Sequence, residues 1–280
     1  MTIERMEIKL PHIDDSGERL IYDIRGANEL HETFWAHLAR YLHARRVAAA
    51  SHRKLRILDA ACGTGYGTYL MSREGHDCTG IDLDAGAVTF SISRYARSNC
   101  NFLCGDVTDL PFEDNSFDMV ITFETLEHLA RHQQPVFLAE IKRVLRPDGR
   151  VTLSSPVRDK GVSNPAENPY HKYEPSSDEL MDIARQLFDR VDVYGQVLLP
   201  PVSNSEPRQA QRTNQIGTVP MLRYARAVAR GIMNTAFQDQ YLHYPGLLDF
   251  VTRTLYAGVN VKPLSASPCR VSCLVLNAQA

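Results

Sequence analysis

The chain has 280 residues, of which 44% are hydrophobic and 23% charged, and its formal net charge is −2. These proportions are ordinary for a globular protein, and the nearly balanced charge argues against nonspecific nucleic-acid binding. No apolar run reaches the roughly 18 residues of a membrane span, and residues 1–10 lack the apolar core of a signal peptide, so we expect a cytoplasmic protein. The six cysteines form no C-x-x-C pair and are expected to be free thiols in a reducing compartment.

The first predicted element is a helix at residues 28–50, where apolar side chains recur at helical spacing. Together with the irregular segment before it, this helix makes up an N-terminal cap over residues 1–50. Trp35 and Tyr41 on the helix either cover the mouth of a ligand site or belong to the core. The core is the simpler interpretation for both side chains.

Residues 55–67, LRILDAACGTGYG, are the most informative stretch of the chain. A buried strand at 55–60 runs into a turn that has glycine at every second position, and a helix at 67–74 follows. Glycine permits a tight turn and lets a ligand approach the bare backbone. A strand, a glycine turn and a helix N-terminus in this order are typical of a nucleotide-type cofactor site.

The details of the turn narrow the choice of cofactor. Thr68 stands where the dinucleotide fingerprint G-x-G-x-x-G has its third glycine, and no lysine follows Gly67 as in an ATP-binding P-loop. The carboxylate of Asp59 would repel a pyrophosphate, but it suits a ligand with positive charge, such as S-adenosylmethionine with its sulfonium and ammonium groups. An NAD-dependent oxidoreductase is therefore the weaker alternative.

Two further carboxylates follow predicted strands. The strand at 78–82 ends in Asp82, seventeen positions after Gly65, which is close to the ~20-residue spacing of a ribose-binding acid. Its two oxygens can accept hydrogen bonds from both ribose hydroxyls. The strand at 101–105 leads to Asp106, which can accept a hydrogen bond from an adenine amino group. The alternative for both acids is a helix N-cap.

Taken together, these segments resemble the motifs of class I S-adenosylmethionine-dependent methyltransferases, in order and spacing, over residues 55–156. A looser similarity over residues 17–197 points to bacterial enzymes that act on sugars, lipids or secondary metabolites. Ala61 stands where the family often has glycine, but its side chain is small enough that no loss of binding is expected. The segments that carry the resemblance are LDAACGTG at 58–65, GID at 80–82, GD at 105–106, LPFEDNSFDMV at 110–120 and LRPDGR at 145–150.

The resemblance implies an α/β fold with a Rossmann-like sheet of seven strands in the order 3-2-1-4-5-7-6, the last strand antiparallel. It also implies that the cofactor is S-adenosylmethionine. The core domain would span residues 51–197 and be completed by a final strand within 269–280, which pairs with the strand at 190–197. The other predicted strands are 117–123 and 149–155, and the other predicted helices are 84–97, 135–145 and 177–187. The expected cofactor-binding residues are Asp59, Ala60, Ala61, Cys62, Gly63, Gly65, Tyr66, Asp82, Leu83, Asp106, Val107 and Phe123.

Residues 198–268, between the last two strands, are too many for a simple hairpin and are expected to form a mostly helical, substrate-binding insertion. From 202 to 264 this segment carries seven basic residues against three acidic ones, an excess of four positive charges. Three of the arginines share one face of a predicted helix at 219–236. The simpler interpretation is a solvated helix face, and the alternative is a site for an anionic small molecule, such as a phosphorylated sugar, a nucleotide-sugar or a lipid headgroup.

The strand at 117–123 runs into FETLEH, residues 123–128. Ligands of open parallel sheets bind at the carboxyl ends of the strands, so this segment is expected beside the transferable methyl group. A hydroxyl acceptor needs a base, and His128 is the best single candidate because imidazole titrates near neutral pH. Its alternative role is to cap or pack the following helix. Glu124 and His171 are the other candidate catalytic residues.

The same segment resembles the E-x-x-E-H sequence of some metal-dependent methyltransferases that act on small RNAs or quinone precursors. Glu124, Glu127 and His128 match that sequence, and His171 stands where those enzymes have a further histidine. Two carboxylates and two imidazoles can bind a divalent metal ion. The same sequence also occurs in metal-free relatives, so a metal ion is an alternative that we do not favour, and His171 then lines the substrate pocket.

The sequence therefore predicts an enzyme that transfers a methyl group from S-adenosylmethionine to a hydroxyl or amine of a small molecule, such as a sugar, a nucleotide-sugar or a secondary metabolite. A metal-assisted O-methyltransferase acting on RNA or on a quinone precursor is one alternative, although the charge balance argues against RNA. A protein that binds S-adenosylmethionine without catalysis is the other. The acceptor and the oligomeric state stay open.

Overall fold

The computed structural model describes residues 32–166, 168–197, 260–263 and 273–280. Helices and strands alternate along most of this chain, as the sequence predicts. The helices are α1 Glu32–Ala49, α2 Tyr66–Ser72, α3 Ala85–Tyr95, α4 Gln134–Val144 and α5 Ser177–Leu187. The strands are β1 Arg56–Ala60, β2 Asp77–Asp82, β3 Cys100–Cys104, β4 Phe117–Phe123, β5 Leu145–Pro156, β6 Val162–Ser163, β7 Tyr173–Glu174, β8 Arg190–Val197, β9 Asn260–Pro263 and β10 Cys273–Gln279.

Eight of these strands form one sheet in the order β3-β2-β1-β4-β5-β10-β8-β9. Within the group β1 to β5, neighbouring strands run parallel to each other. β10 is antiparallel to both β5 and β8. The predicted order of seven strands and the antiparallel last strand are therefore confirmed. β9 adds an eighth strand, antiparallel to β8, which the sequence did not predict.

β9 belongs to the segment that was expected to be a mostly helical insertion. Its four residues, 260–263, are the part of that insertion that the structure describes, and they are extended rather than helical. The predicted helix at 219–236, with its three arginines, lies outside the described residues, as do residues 1–31. The expected composition of the rest of the insertion stays a prediction.

Apolar clusters cover both faces of the sheet, as expected for parallel strands that are connected by helices. Phe137 of α4 and Leu180 of α5 are fully buried in the cluster on one face. Tyr41 of α1, Tyr69 of α2 and Phe90 of α3 lie in the cluster on the other face. β4, in the middle of the sheet, is buried along its whole length. This arrangement leaves the carboxyl ends of the parallel strands at one open edge of the core.

Two features of the strands differ from the sequence-based expectation. β5 begins at Leu145, earlier than the predicted 149, because Leu145 already pairs with Phe117 before an irregularity in the register. β6 and β7 form a separate two-stranded sheet that was not predicted. They enclose a loop, and the backbone N–H of Lys172 in this loop donates to the carbonyl of Glu127 at 2.8 Å. The loop is thereby attached to the segment that follows β4.

Other expectations concern the cysteines and membrane spans. Four cysteines have described side chains, and all four are free thiols. Within the described ranges, no helix has both the length and the apolar character needed to cross a bilayer.

Candidate active site

A cavity of about 460 Å³ lies at the carboxyl ends of β1, β2 and β4. Residues from α1, from the glycine turn after β1, from the segments after β2, β3 and β4, and from the loop between β6 and β7 line it. The predicted site residues in its wall are Ala61, Cys62, Gly63, Tyr66, Asp82, Leu83, Asp106, Val107, Phe123, Glu124 and His128. Four other predicted site residues do not line it, namely Asp59, Ala60, Gly65 and His171.

The glycine turn contains three residues with left-handed backbone conformation. The φ angle is +62° at Ala61, +55° at Gly63 and +75° at Gly65. A Cβ atom at Gly65 would lie 2.6 Å from the Phe102 ring and from the Ser91 hydroxyl, so both space and backbone angle require glycine there. Ala61 has a left-handed backbone conformation, which is strained for a residue with a Cβ atom. Glycine would adopt this conformation more easily.

Asp82 connects the end of β2 to the glycine turn. The backbone N–H of Gly63 donates to its Oδ2 at 2.7 Å, and that of Asp84 donates to its Oδ1 at 3.0 Å. Asp82 lines the cavity, whereas Asp84 is the residue that caps α3. The helix-cap alternative for Asp82 is therefore wrong, and the carboxylate lies at the strand end where a ribose-binding acid is expected.

Asp106 lies after β3, next to the end of β2 in the sheet. Its Oδ1 accepts hydrogen bonds from the backbone N–H of Thr108 at 2.8 Å and from the Thr108 hydroxyl at 2.7 Å. Leu83 and Val107 line the same part of the cavity, and the Leu83 side chain is 71% exposed. Together these residues offer apolar surface and an acceptor to a flat heterocycle.

Asp59 lies behind the cavity wall. Its side chain is 1% exposed, and it accepts hydrogen bonds from the Thr68 hydroxyl at 2.6 Å and from the Tyr41 hydroxyl at 3.2 Å. Burial raises the pKa of Asp59 to about 7, although these hydrogen bonds lower it in part. The structure therefore places Asp59 as a support for Tyr41 and Thr68, where the sequence suggested direct contact with a cationic ligand.

Tyr41 is the functional candidate that sequence reasoning assigned to the core. Its ring is 6% exposed, yet it lines the cavity beside Tyr66 and Phe123. The helical spacing of apolar residues in α1 indicates that Tyr41 is buried, but this spacing carries no information about the cavity. Only the packing of α1 on the glycine turn reveals its second role.

Glu124, directly after β4, has a backbone φ of +53°, which is uncommon for a residue with a side chain. Its Oε1 accepts a hydrogen bond from the Ser154 hydroxyl at 2.7 Å, and its Oε2 lies 3.3 Å from a guanidinium nitrogen of Arg40. The ion pair with Arg40 joins α1 to the end of the sheet in the cavity wall. Strained conformations of this kind cluster at active sites.

His128 ends the short 3₁₀ turn after β4 and lines the cavity. Its Nδ1 lies 3.2 Å from the backbone oxygen of Tyr170. Because a carbonyl oxygen can only accept, Nδ1 carries the proton, and Nε2 is the basic nitrogen of the neutral ring. A ring held in one tautomer, with one nitrogen able to accept a proton, has the chemistry of a general base.

His171 contacts His128 from outside the cavity, with the two rings edge to face and their centroids 5.1 Å apart. Asn168 accepts a hydrogen bond from the Tyr170 N–H through Oδ1, so its amide nitrogen donates to His171 Nε2 at 2.9 Å. The other ring nitrogen, Nδ1, then donates to Glu174. His171 is thus a positioned neighbour of His128 and does not line the cavity.

Glu127, His128 and His171 each place a potential ligand atom within 4.8 Å of the other two, as a metal site would require. The present burial and hydrogen bonds of these groups oppose the binding of a divalent ion. Burial, with a further contribution from Glu124, holds the pKa of the Glu127 carboxyl well above its usual range, so a metal ion would have to displace its proton. In addition, His171 Nε2 accepts the Asn168 amide.

Lys172 and Tyr170 line the cavity beside His128, and the sequence analysis did not assign them a role. The two residues flank His171 in the sequence, and this position was the signal that could have identified them. Within the described part of the chain, the ammonium group of Lys172 has no ion-pair partner. His37, also in the lining, is neutral at pH 7 because burial, with help from Arg40, lowers its pKa to about 4.

Comparison with known proteins agrees with this geometry. Residues 58–153 match a family described as a methyltransferase domain. A probable S-adenosylmethionine-dependent methyltransferase of Mycolicibacterium smegmatis is 32% identical over 155 residues, which are 54% of this chain and 58% of that protein. A probable phthiotriol/phenolphthiotriol dimycocerosates methyltransferase of Mycobacterium ulcerans is 38% identical over 110 residues, 39% of this chain and 42% of that protein.

A crystal structure with the same fold is that of a methyltransferase from Thermotoga maritima, described as S-adenosylmethionine-dependent and as a possible histamine N-methyltransferase. It has 16% sequence identity and a TM-score of 0.53, over 91% of this chain and 97% of that one. The chain spans less than two thirds of the length of the two mycobacterial relatives. The family match nevertheless includes the glycine turn, the ends of β2, β3 and β4, and His128. At residues 58–153 the chain therefore matches the methyltransferase-domain family, on a sheet with the fold of class I S-adenosylmethionine-dependent methyltransferases.

Proposed function

We propose that the protein binds S-adenosylmethionine in the cavity and catalyses methyl transfer to a small molecule, preferentially at a hydroxyl group. The observation that carries this proposal is the common cavity of the glycine turn, Asp82 and His128. The turn and the acid are suited to an adenosyl cofactor, and the histidine is suited to a proton transfer. The residues suited to cofactor binding and the residue suited to proton transfer thus line the same cavity.

The cofactor part of the cavity has room for a ligand against bare backbone. Among the described residues other than Gly63 and its two chain neighbours, none has a heavy atom within 4 Å of the position that a Cβ atom would take at Gly63. We assign the ribose hydroxyls to Asp82, whose two oxygens already face backbone N–H groups at the strand end. The adenine ring is assigned to Leu83, Asp106 and Val107. When bound, S-adenosylmethionine supplies an electrophilic methyl group.

His128 is the proposed general base. Its Nε2 accepts the proton of the acceptor hydroxyl, while the hydrogen bond from Nδ1 to the Tyr170 carbonyl keeps the ring oriented. His171 packs against the ring and limits its rotation. General-base catalysis contributes typically about 10²- to 10⁴-fold, and correct placement of the reactants contributes up to about 7–11 kcal/mol. Most of the acceleration is therefore assigned to positioning by the cavity.

The proposed acceptor is a small molecule with an anionic group. Lys172 in the lining has no ion-pair partner in the described ranges and is suited to a carboxylate or phosphate. The insertion at 202–264, with its excess of four positive charges, is consistent with the same charge preference. The name of the M. ulcerans relative, which refers to phthiotriol and phenolphthiotriol dimycocerosates, supports a small-molecule acceptor over a nucleic acid.

The test is methyl transfer from labelled S-adenosylmethionine to fractions of small-molecule extracts, followed by kinetics on the fraction that accepts the label. We expect His128→Gln to lower kcat by about 10²- to 10⁴-fold with little change in cofactor affinity. His132→Gln, at an exposed position outside the cavity, is the matched control. Tight cofactor binding without transfer to any fraction would favour a non-catalytic binding protein. Unchanged kcat in His128→Gln would contradict the assigned base.

A further inference from the structure

Three aromatic rings from three different elements line the cavity together. Tyr41 lies on α1, Tyr66 begins α2, and Phe123 ends β4. The Tyr41 ring meets the Tyr66 ring edge to face at a centroid distance of 5.5 Å, and it meets the Phe123 ring in the same way at 5.0 Å. We call these three residues the aromatic wall.

The aromatic wall is held in place from behind. The hydroxyl of Tyr41 donates to the buried carboxylate of Asp59 at 3.2 Å. The same ring packs against Gly67 so closely that a Cβ atom there would lie 1.9 Å from it. Donation of a phenol proton to a carboxylate also raises the electron density of the ring, which strengthens its attraction for a cation. The Tyr41 ring is therefore held in place and made more electron-rich.

The carboxylates of the cavity lining already have donors. Asp82 accepts two backbone N–H groups, Asp106 accepts two hydrogen bonds from Thr108, and Glu124 pairs with Arg40. A sulfonium group carries a positive charge but has no N–H or O–H to donate, so it cannot form a hydrogen bond with a carboxylate. The face of an aromatic ring attracts such a cation directly.

We infer that the aromatic wall is the subsite for the sulfonium of S-adenosylmethionine and that it distinguishes this cation from the neutral thioether of the product, S-adenosylhomocysteine. This inference rests on the proposed function, because it concerns the same cavity and the same cofactor. The cation–π attraction acts on the cofactor and vanishes once the methyl group has been transferred. The wall therefore strengthens cofactor binding without strengthening product binding, which assists product release.

The test is calorimetric titration of S-adenosylmethionine and S-adenosylhomocysteine into the wild-type chain and into Tyr66→Leu and Phe123→Leu. Each substitution removes one ring and keeps an apolar side chain. We expect the affinity for S-adenosylmethionine to fall roughly three- to thirty-fold relative to the affinity for S-adenosylhomocysteine. Tyr66→Phe keeps the ring and is expected to keep the wild-type ratio of the two affinities.

Phe90→Leu is the matched control for a general loss of packing. Phe90 is buried in the same apolar cluster, but it does not line the cavity, so its loss should leave the ratio unchanged. Equal loss of both affinities in Tyr66→Leu and in Phe123→Leu would overturn the inference while leaving the proposed function intact. A wild-type chain that binds neither ligand would instead contradict the proposed function, and the inference with it. Thermal melting of each variant identifies any variant that fails to fold, and the other substitution then decides the outcome.

Discussion

The phenol oxygen of Tyr41 lies 3.3 Å and 3.2 Å from the two carboxylate oxygens of Asp59. Tyr41 belongs to α1, outside the region that matches the methyltransferase family, whereas Asp59 belongs to β1, directly before the glycine turn. Both side chains are buried, and a buried hydrogen bond to a carboxyl group is strengthened by its low-dielectric surroundings. This bond therefore helps to fix one wall of the cavity on the cofactor-binding strand.

Removal of the Tyr41 hydroxyl tests that role. We expect Tyr41→Phe to lower the free energy of unfolding by about 1–2 kcal/mol, because Asp59 loses one of its buried donors. The same loss should raise the pKa of Asp59 further above its usual value. Urea unfolding measures the first effect, and NMR titration of the carboxyl carbon measures the second. Tyr69→Phe is the control, since Tyr69 is equally buried but stacks on Tyr95. Equal destabilisation by both substitutions would argue against a specific role of the Asp59 bond.

The contact between Tyr41 and Gly67 leads to a second prediction. A Cβ atom at Gly67 would lie 1.9 Å from the Tyr41 ring. Alanine is normally the better residue within a helix, by about 1 kcal/mol. Here we expect Gly67→Ala to destabilise the protein by about 1–3 kcal/mol, because the new methyl group overpacks the interface between α1 and α2.

A double-mutant cycle separates the two effects. In a Tyr41→Ala background the obstacle is absent, so Gly67→Ala should become neutral or stabilising, by up to about 1 kcal/mol. Chemical denaturation of the four proteins provides the measurement. If Gly67→Ala is equally harmful in both backgrounds, the steric explanation is wrong.

Ala61 is expected to be suboptimal for stability. Its backbone φ of +62° is strained for a residue with a Cβ atom, by about 1–2 kcal/mol. Glycine relieves this strain but increases the freedom of the unfolded chain, which costs about 0.4–1 kcal/mol. We therefore expect Ala61→Gly to stabilise the protein by about 0.5 kcal/mol, the difference between these terms. Thermal unfolding should show a small rise in Tm.

The control for this prediction is Ala139→Gly, at an exposed position of α4 with ordinary helical geometry. It should destabilise the protein by about 1 kcal/mol. Opposite signs for the two alanine-to-glycine changes are the expected result. A loss of stability in both would show that the left-handed conformation at Ala61 carries no strain.

The buried carboxylate of Asp118 is expected to make the stability of the folded protein depend on pH in the acid range. It accepts hydrogen bonds from Arg53 at 2.9 Å, from Arg146 at 2.8 Å and from the backbone N–H of Arg56 at 2.8 Å. Burial by itself would raise the pKa of Asp118, but these three hydrogen bonds outweigh it and lower the pKa to about 2. A carboxylate with a lowered folded-state pKa stabilises the protein above its unfolded value of 3.8, and this stabilisation is lost as the pH falls through about 2.

We therefore expect Asp118→Asn to be less stable than the wild type by about 2 kcal/mol at pH 7, with a difference that shrinks between pH 4 and pH 2. Urea unfolding at pH 7, 4 and 2.5 provides the measurement. Asp189→Asn, which changes an exposed carboxylate, is the control and should show little difference at any pH. A difference that stays constant down to pH 2.5 would contradict the ionic role of Asp118.

Much of the fold could be predicted from apolar runs and glycine turns, because α2, α3 and α4 follow β1, β2 and β4 in turn. Short strands were missed for a physical reason. β6 and β7 have two residues each and β9 has four, so none of them is long enough to show a hydrophobic period. Their pairing depends on partners elsewhere in the chain, such as β8 for β9.

The candidate site divides in the same way. The local parts of the site, namely the glycine turn, Asp82 after β2 and His128 after β4, could be predicted from the sequence because each is built within a few residues of one strand end. The position of Tyr41 in the cavity wall, the support from Asp59 behind it and the orientation of His128 by the Tyr170 carbonyl follow from the folded chain alone. These contacts join residues that are 18 to 42 positions apart, and their geometry depends on how whole helices and loops pack on the sheet.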